Sequence, residues 1–594
     1  MQALKINKPV KKISILLIVL LCATGSEFII GQEIFGPPVN IPLFLSSGFA
    51  ELRPDHFHSG IDIKTQGVTG KNVLASADGY VYLISVSPSG FGKSIYLRHP
   101  SGFSTVYAHL ESFSPEIEDY VKRHQYNRKS YSITIYPPKE RFQFKKGDLI
   151  GFSGNTGSSS GPHLHFEIRK TAGEKPVNPL QFGFKIEDNL KPRIERLVVY
   201  PANKSSLING HNKKIFINAS GRNGNYKLVE NDELTISGTA GFGIICRDFM
   251  NNTPNRFDIT SIELFIDSIP WFRYDMSEFS FDQTRYINAH IDYEALMKNN
   301  TWIHRVFVLP NDKLDRYSGY MNNGLYDFDT ESIHNIMIVV KDGSGNTSTL
   351  SFKVKSASPP IDARINEIAL TDTAGQINNE KDKIITPMPF WKNNLFESDS
   401  IKITIPEGAL YDSLYFRYTK ERGNNLLYSS IHKVHDRFTP LHKAITISIM
   451  PDSVPKAGAS KLVVVNVDDN GRIKSAGGKY SGGFITASVL NFGSYAVAAD
   501  TTPPLIIPNG LTQNANLSAL KEIRIKITDN LSGIKNYTGL IDGKWALFEY
   551  DAKNDLIFYK FDSDRITKNT NHTLELTVTD NRDNIAVLRR DFFW

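Results

Sequence analysis

Two short stretches, His58-Ser-Gly-Ile-Asp62 and Gly161-Pro-His-Leu-His165, carry the residue types and spacing that hold a metal ion. In a β-strand, residues two or four apart share a face, which would put His58 with Asp62 and His163 with His165. Two such strands side by side would converge four metal-competent side chains. Zinc used for catalysis takes three imidazole or carboxylate ligands and leaves a fourth position to water, whereas structural sites are closed and commonly rich in thiolate. Neither stretch contains cysteine, so the donor types favour chemistry over scaffolding. An H-x-H pair can supply two ligands, and spacing alone therefore leaves the division between ligands and catalytic groups open.

The elements that must position these side chains are β-strands. From Gln32 to Phe184 short apolar runs are cut by glycine turns: Val73 to Ala77, Tyr80 to Val86, Ser94 to Arg98, and Phe103 to His109. That pattern predicts antiparallel hairpins. The loop Asn155 to Gly161 delivers the chain into a strand from His163 to Arg169. Ser114-Pro-Glu predicts a helix start, with serine at the cap and proline at the first helical position. It opens an inserted segment, 114–144, read as a helical lip beside the cleft. The basic residues Lys122, Arg123, Arg128 and Lys129 in this lip read as a solvated face rather than a substrate contact.

Taken in order, His58-x-x-x-Asp62, Tyr107-Ala-His109-Leu110 and His163-Leu-His165 resemble the lysostaphin and LytM class of zinc endopeptidases, which cut the peptide part of peptidoglycan. The loop Gly151-x-x-Gly-x-Thr-Gly-x-x-x-Gly-Pro before the last motif matches as well, and the resemblance covers residues 45 to 185. No H-E-x-x-H helix is present, against the commoner zinc-protease plan. The resemblance implies Zn2+ held by His58, Asp62 and His165, with His109 and His163 as the catalytic histidines. It implies metal-assisted hydrolysis in which one histidine takes the proton of an activated water and the other hydrogen-bonds the developing oxyanion. His56 shares a strand face with His58 but misses the family spacing and is set aside. Glu167, on the strand face of His163 and His165, reads either as a group that orients an imidazole or as a simple strand-end carboxylate.

At 594 residues the chain is too long for a single core. The expected fold class is mainly β: an N-terminal antiparallel LytM-type peptidase domain followed by several β-sandwich-like domains. Asp188 to Ile194 and Asp500 to Ile506 share a D-x-x-x-P-x-I opening, and Val340 to Leu350 and Val578 to Leu588 share V-x-D-x-x-x-N-x-x-x-L. With the N-terminal apolar run and the motif-bearing stretch, these repeats divide the chain into a signal peptide at 1–31, the peptidase domain at 32–186, an immunoglobulin-like β domain at 187–357, a β domain of unknown type at 358–499 and a second immunoglobulin-like domain at 500–594. Ser356 to Pro360 reads as a linker.

Lys5, Lys8, Lys11 and Lys12 followed by an apolar run from Ile13 to Ala23 predict an exported protein of the periplasm or cell envelope, or a secreted one. The run is too short to leave a transmembrane segment after cleavage. Cys22 falls in that signal, so the only remaining thiol, Cys246, has no disulfide partner and is expected to be buried in an apolar strand. A formal charge of +6 on this length points to no nucleic acid. The leading expectation is a zinc endopeptidase acting on peptidoglycan peptides, with envelope proteins as further partners through the C-terminal β domains. The alternatives are a catalytically silent envelope adaptor that binds wall or regulates another hydrolase, and an exported protease acting on proteins.

Overall fold

A computed structural model describes residues 35–229, 234–358 and 384–594. The expected signal peptide, with Cys22, and the linker residues Pro359 and Pro360 lie outside the described residues. The described chain is mainly β.

The N-terminal unit consists of β1 (Leu45–Ser47), β2 (Ile61–Lys64), β3 (Asn72–Leu74), β4 (Gly79–Val86), β5 (Lys93–Arg98), β6 (Phe103–Leu110), β7 (Ser112–Phe113), α1 (Pro115–Arg128), β8 (Ile133–Ile135), β9 (Gln143–Phe144), β10 (Leu149–Phe152), β11 (His163–Lys170) and β12 (Lys175–Val177). Its main sheet runs β1-β2-β11-β6-β5-β4-β8, with β12 beside β11 and β9 beside β4. The pairs β4–β5 and β5–β6 are the expected hairpins. The run at Val73 behaves differently: β3 pairs with β10 in a small separate sheet instead of opening a hairpin with β4.

Alternation along β2 and β11 separates two faces. Ile61, Ile63, Leu164, Phe166 and Ile168 are buried in the core, each stabilising by about 1.5–3 kcal/mol. Asp62, His163, His165 and Glu167 occupy the opposite face.

Helix α1 forms where expected, with Pro115 in its first turn. Ser114 stands at the N-cap position but makes no capping bond, and Glu118 Oε2 instead accepts from the Phe113 N–H at 2.9 Å. Ile117, Val121 and Gln125 are its buried residues. The expectation of a solvated basic face fails at Lys122, whose Nζ reaches Asp562 at 2.6 Å in the C-terminal unit. Tyr126 meets Trp545 edge-on at 5.1 Å, and Arg565 lies 4.0 Å from the Tyr126 ring centre. The surface of α1 is therefore a domain contact, which local charge patterning does not encode.

In the second unit a 16-residue strand, Leu234–Phe249, pairs with Arg193–Pro201 and carries buried, unpaired Cys246. The hairpin Ile333–Lys341 with Thr347–Ser356 joins the same sheet. From 384 to 500 two sheets enclose one core around Ile403, Phe416, Val464 and Val497. From 505 onward two further sheets enclose Ile525, Ile557, Leu576 and Val578.

The repeated D-x-x-x-N motifs make the same turn twice. Asp342 Oδ1 accepts from the N–H groups of Ser344 and Asn346, and Asp580 Oδ1 from those of Arg582 and Asn584. In each turn the asparagine amide then donates to the carbonyl of the opening aspartate, Asn346 to Asp188 at 3.2 Å and Asn584 to Asp500 at 3.1 Å.

Candidate metal centre

The sheet order sets Asp62 directly across from His165 in the β2–β11 ladder, so both side chains leave the same face. His58 arrives by another route. It lies before β2 rather than on it, so shared strand alternation does not bring it to Asp62. Its backbone is held by Ala50 N–H to His58 O at 2.8 Å and His58 N–H to Glu51 O at 3.0 Å. Phe57 beside it packs on Phe279 of the second unit at 5.8 Å, and its N–H donates to Thr284 Oγ1 at 2.8 Å. Placement of His58 thus depends on a loop braced by a neighbouring unit.

His109 needs a local departure from the ladder. Tyr107 pairs with Phe166 on the core side and Ala108 with His165 on the site side, so unbroken alternation would turn His109 into the core. Against β5, however, Lys93 pairs with Leu110 and Ile95 with Tyr107, leaving Ala108 and His109 opposite Ser94 alone. This is a β-bulge, and His109 adopts φ 60°, a left-handed conformation uncommon for a non-glycine residue. The bulge turns the imidazole towards His163, with ring centres 4.9 Å apart. The loop Asn155 to Gly161 closes on the 90–92 turn so tightly that a Cβ on Gly157, at φ 70°, would lie 2.4 Å from both Gly90 O and Gly92 N. Glycine at 157 is a steric requirement of that approach.

At the centre, His165 Nδ1 lies 2.9 Å from Asp62 Oδ1 and 3.1 Å from His58 Nε2, and His58 Nε2 lies 3.2 Å from Asp62 Oδ1. Donors around a tetrahedral zinc stand about 3.3 Å apart for bonds of ~2.0 Å. His163 Nε2 follows at 3.5 Å from Asp62 Oδ1.

Outer partners fix the tautomers, because a carbonyl or carboxylate can only accept. His58 Nδ1–H donates to Gly48 O at 2.6 Å, His109 Nδ1–H to Thr156 O at 2.8 Å, and His163 Nδ1–H to Gly161 O at 2.8 Å. Each Nε2 therefore presents a lone pair. His165 is reversed: Nε2–H donates to Glu167 Oε1 at 2.8 Å, freeing Nδ1. Of the two readings of Glu167, the orienting role has the geometry. The carboxylate is fully buried and also takes hydrogen bonds from Ser59 Oγ and Arg169 Nε.

Burial alone would raise the Asp62 carboxyl, but His58 and then the hydrogen bonds of His163 and His165 hold it well below the ordinary range. Burial would likewise raise Glu167, and Arg169 and His165 override it to hold it at about 2. Burial disfavours charge on His165, yet Asp62 and Glu167 outweigh it and raise the imidazole to about 9. Burial, reinforced by His165 and His163, depresses His109 to about 3. His56 is half-exposed, paired with Asp55 at 2.6 Å, and takes no part.

With His165 raised to about 9, a metal ion entering the trio competes with a proton for its imidazole. Apparent zinc affinity is therefore expected to rise by up to about tenfold per pH unit as the pH climbs from 6 to 8 and to level off near 9. Competition titration against a chromophoric chelator reads this directly, and a flat profile would contradict it.

Several supporting groups carry no sequence signal. Phe91 stacks on His165 at 5.0 Å, and the carbonyls of Gly48, Thr156 and Gly161 act through the backbone. A surface cleft of 1040 Å³ lies elsewhere, around Arg285, His435 and Asn491.

Residues 56–126 and 138–179 match peptidase family M23, and residues 386–500 match a Zu5-like domain. The first match carries the expected LytM-type resemblance and breaks within the inserted segment. The second gives a type to the stretch the sequence left untyped. Over 123 residues, 21% of this chain and 22% of the relative, the chain is 35% identical to the DD-carboxypeptidase/endopeptidase Mpg of Neisseria meningitidis serogroup B. Over 125 residues, 21% of this chain and 26% of the relative, it is 30% identical to the murein hydrolase activator NlpD of Escherichia coli K12. A mutant catalytic domain of the prophage-encoded M23 protein EnpA from Enterococcus faecalis aligns at 25% identity, covering 24% of this chain and 95% of that one, with a TM-score of 0.18. The chain spans about a quarter or less of the length of these curated relatives.

Proposed function

From an N-terminal unit that matches peptidase family M23, we propose that this protein is an exported zinc endopeptidase hydrolysing peptide crosslinks of peptidoglycan in the cell envelope. The observation that carries this reading is the convergence of His58 Nε2, Asp62 Oδ1 and His165 Nδ1 on one point, with the lone pairs turned inward by Gly48 O and Glu167. Two neutral imidazoles and one carboxylate suit zinc by charge and donor type. When bound there, the metal supplies Lewis acidity towards a carbonyl oxygen and towards water.

The chain's own residues account for the proton. His109 and His163 each face the trio with an Nε2 lone pair, so in the resting site both accept and neither donates. His163 Nε2 stands 3.5 Å from Asp62 Oδ1, at the edge of the trio. His163 takes the proton of the attacking water and then becomes the donor to the oxyanion or the leaving amine. His109, kept neutral by burial, orients water through Nε2.

The name of the Neisseria relative supports peptide hydrolysis, while that of the Escherichia coli relative supports a second reading, a silent adaptor that regulates another hydrolase. Mass analysis of muropeptides after incubation with the purified zinc-loaded protein separates the two. New uncrosslinked products are expected from wild type and none from His163→Ala; no product from either would leave the adaptor reading. Digestion of casein but not muropeptides would favour a general exported protease. We also propose the chain divisions near 187, 358 and 500 as domain boundaries.

A further inference from the structure

We propose that Asp188, Asp248 and Asp342 form a binding site for a hard divalent cation, calcium by donor chemistry, at the junction between the N-terminal and second units. The three residues come from separate segments. Asp188 lies where the chain leaves the N-terminal unit, Asp248 near the end of the strand Leu234–Phe249, and Asp342 in the turn after Ile333–Lys341. One carboxylate oxygen from each lies within 4.8 Å of the other two.

Asp248 is only 2% exposed, and its Oδ1 is buried without any hydrogen-bond partner; Asp188 Oδ2 is in the same condition. Among the described residues none of the three carboxylates makes an ion pair. Burial and mutual repulsion raise Asp248 to about 9, and burial raises Asp342 to about 6. A buried carboxylate oxygen left unpaired costs more than an ordinary lost hydrogen bond, and a bound cation would satisfy both oxygens at once. Three carboxylates without imidazole or thiolate select an oxygen-seeking ion, and calcium sheds water into such a site more readily than magnesium.

The C-terminal unit supplies an internal comparison. Asp500, Asp529 and Asp580 form a corresponding trio, also with one unpartnered oxygen, on Asp529. There the second residue after the turn aspartate is Arg582, whose guanidinium lies in the field of Asp500 and Asp580. The corresponding position in the second unit is Ser344. A fixed positive charge is thus built into one copy and missing from the other, where an exogenous cation would take its place. Asn178 Nδ2 of the N-terminal unit donates to Gly343 O in the same turn at 3.1 Å. Cation binding would therefore brace the turn that the N-terminal unit contacts.

Calorimetric titration of calcium chloride into the full-length chain carrying one equivalent of zinc tests this, together with thermal melting with and without calcium. Wild type is expected to bind saturably and to melt higher in calcium. Asp248→Asn should weaken binding by at least about tenfold and remove the melting shift. Ser344→Arg, which imports the counter-charge of the C-terminal copy, should also abolish calcium binding, and it decides the matter if Asp248→Asn misfolds. Absence of saturable binding to wild type, or binding unchanged in a folded Asp248→Asn or Ser344→Arg chain, would overturn the proposal.

Discussion

His165→Ala is expected to release zinc and reduce crosslink cleavage to background. The His165 ring is the hub of the centre: 2.9 Å from Asp62, 3.1 Å from His58, hydrogen-bonded to Glu167 and stacked on Phe91. Changing an outer partner of a metal ligand costs about 10–100-fold in affinity, and deleting the ligand itself should cost well beyond that. His109→Ala and His163→Ala should instead keep near-stoichiometric zinc while losing cleavage, because neither contributes to the inner trio. Metal content after gel filtration, measured beside muropeptide digestion, distinguishes the classes. Zinc retained by His165→Ala, or lost equally from all three variants, would reassign the ligands.

Glu549→Ala is expected to cost about 3–5 kcal/mol, the usual penalty for stranding one member of a buried pair. Lys93 is 3% exposed, and its ammonium lies 3.0 Å from Glu549 of the C-terminal unit and 3.8 Å from Glu118. Burial would lower its pKa, but these two carboxylates override burial and raise it, with Glu549 contributing most. Removing Glu549 leaves only the longer contact, and the loss should appear as detachment of the C-terminal unit from α1, read by hydrogen exchange at 115–128 and by the melting midpoint. Lys93→Met combined with Glu549→Leu should recover most of the stability, because an apolar pair of similar volume needs no charge compensation. A single variant as stable as wild type would show that the contact contributes little. The consequence reaches the centre, since Lys93 pairs with Leu110 beside the His109 bulge and Lys553 Nζ donates to Asn155 O on the site loop.

Residue order alone made the set of metal-competent side chains legible, while their division into ligands and catalytic groups came from the family resemblance. Histidine and aspartate at fixed offsets on β2 and β11 need only strand alternation and one antiparallel pairing to share a face, and the register then sets Asp62 across from His165. The β-rich character, the helix at Pro115 and the repeated aspartate turns were equally legible, because each rests on local periodicity or turn chemistry. Three features required the folded molecule. His58 reaches the trio from outside β2, held by backbone bonds to 50–51 and by packing of Phe57 on a distant unit. His109 faces the site only because a bulge reverses the parity that its position in β6 would otherwise impose. Lys122, solvated by every local criterion, is half of an ion pair with Asp562. In each case the deciding partner lies on another strand or in another unit, and periodicity along a single segment carries no information about long-range contacts or about one-residue slips in register.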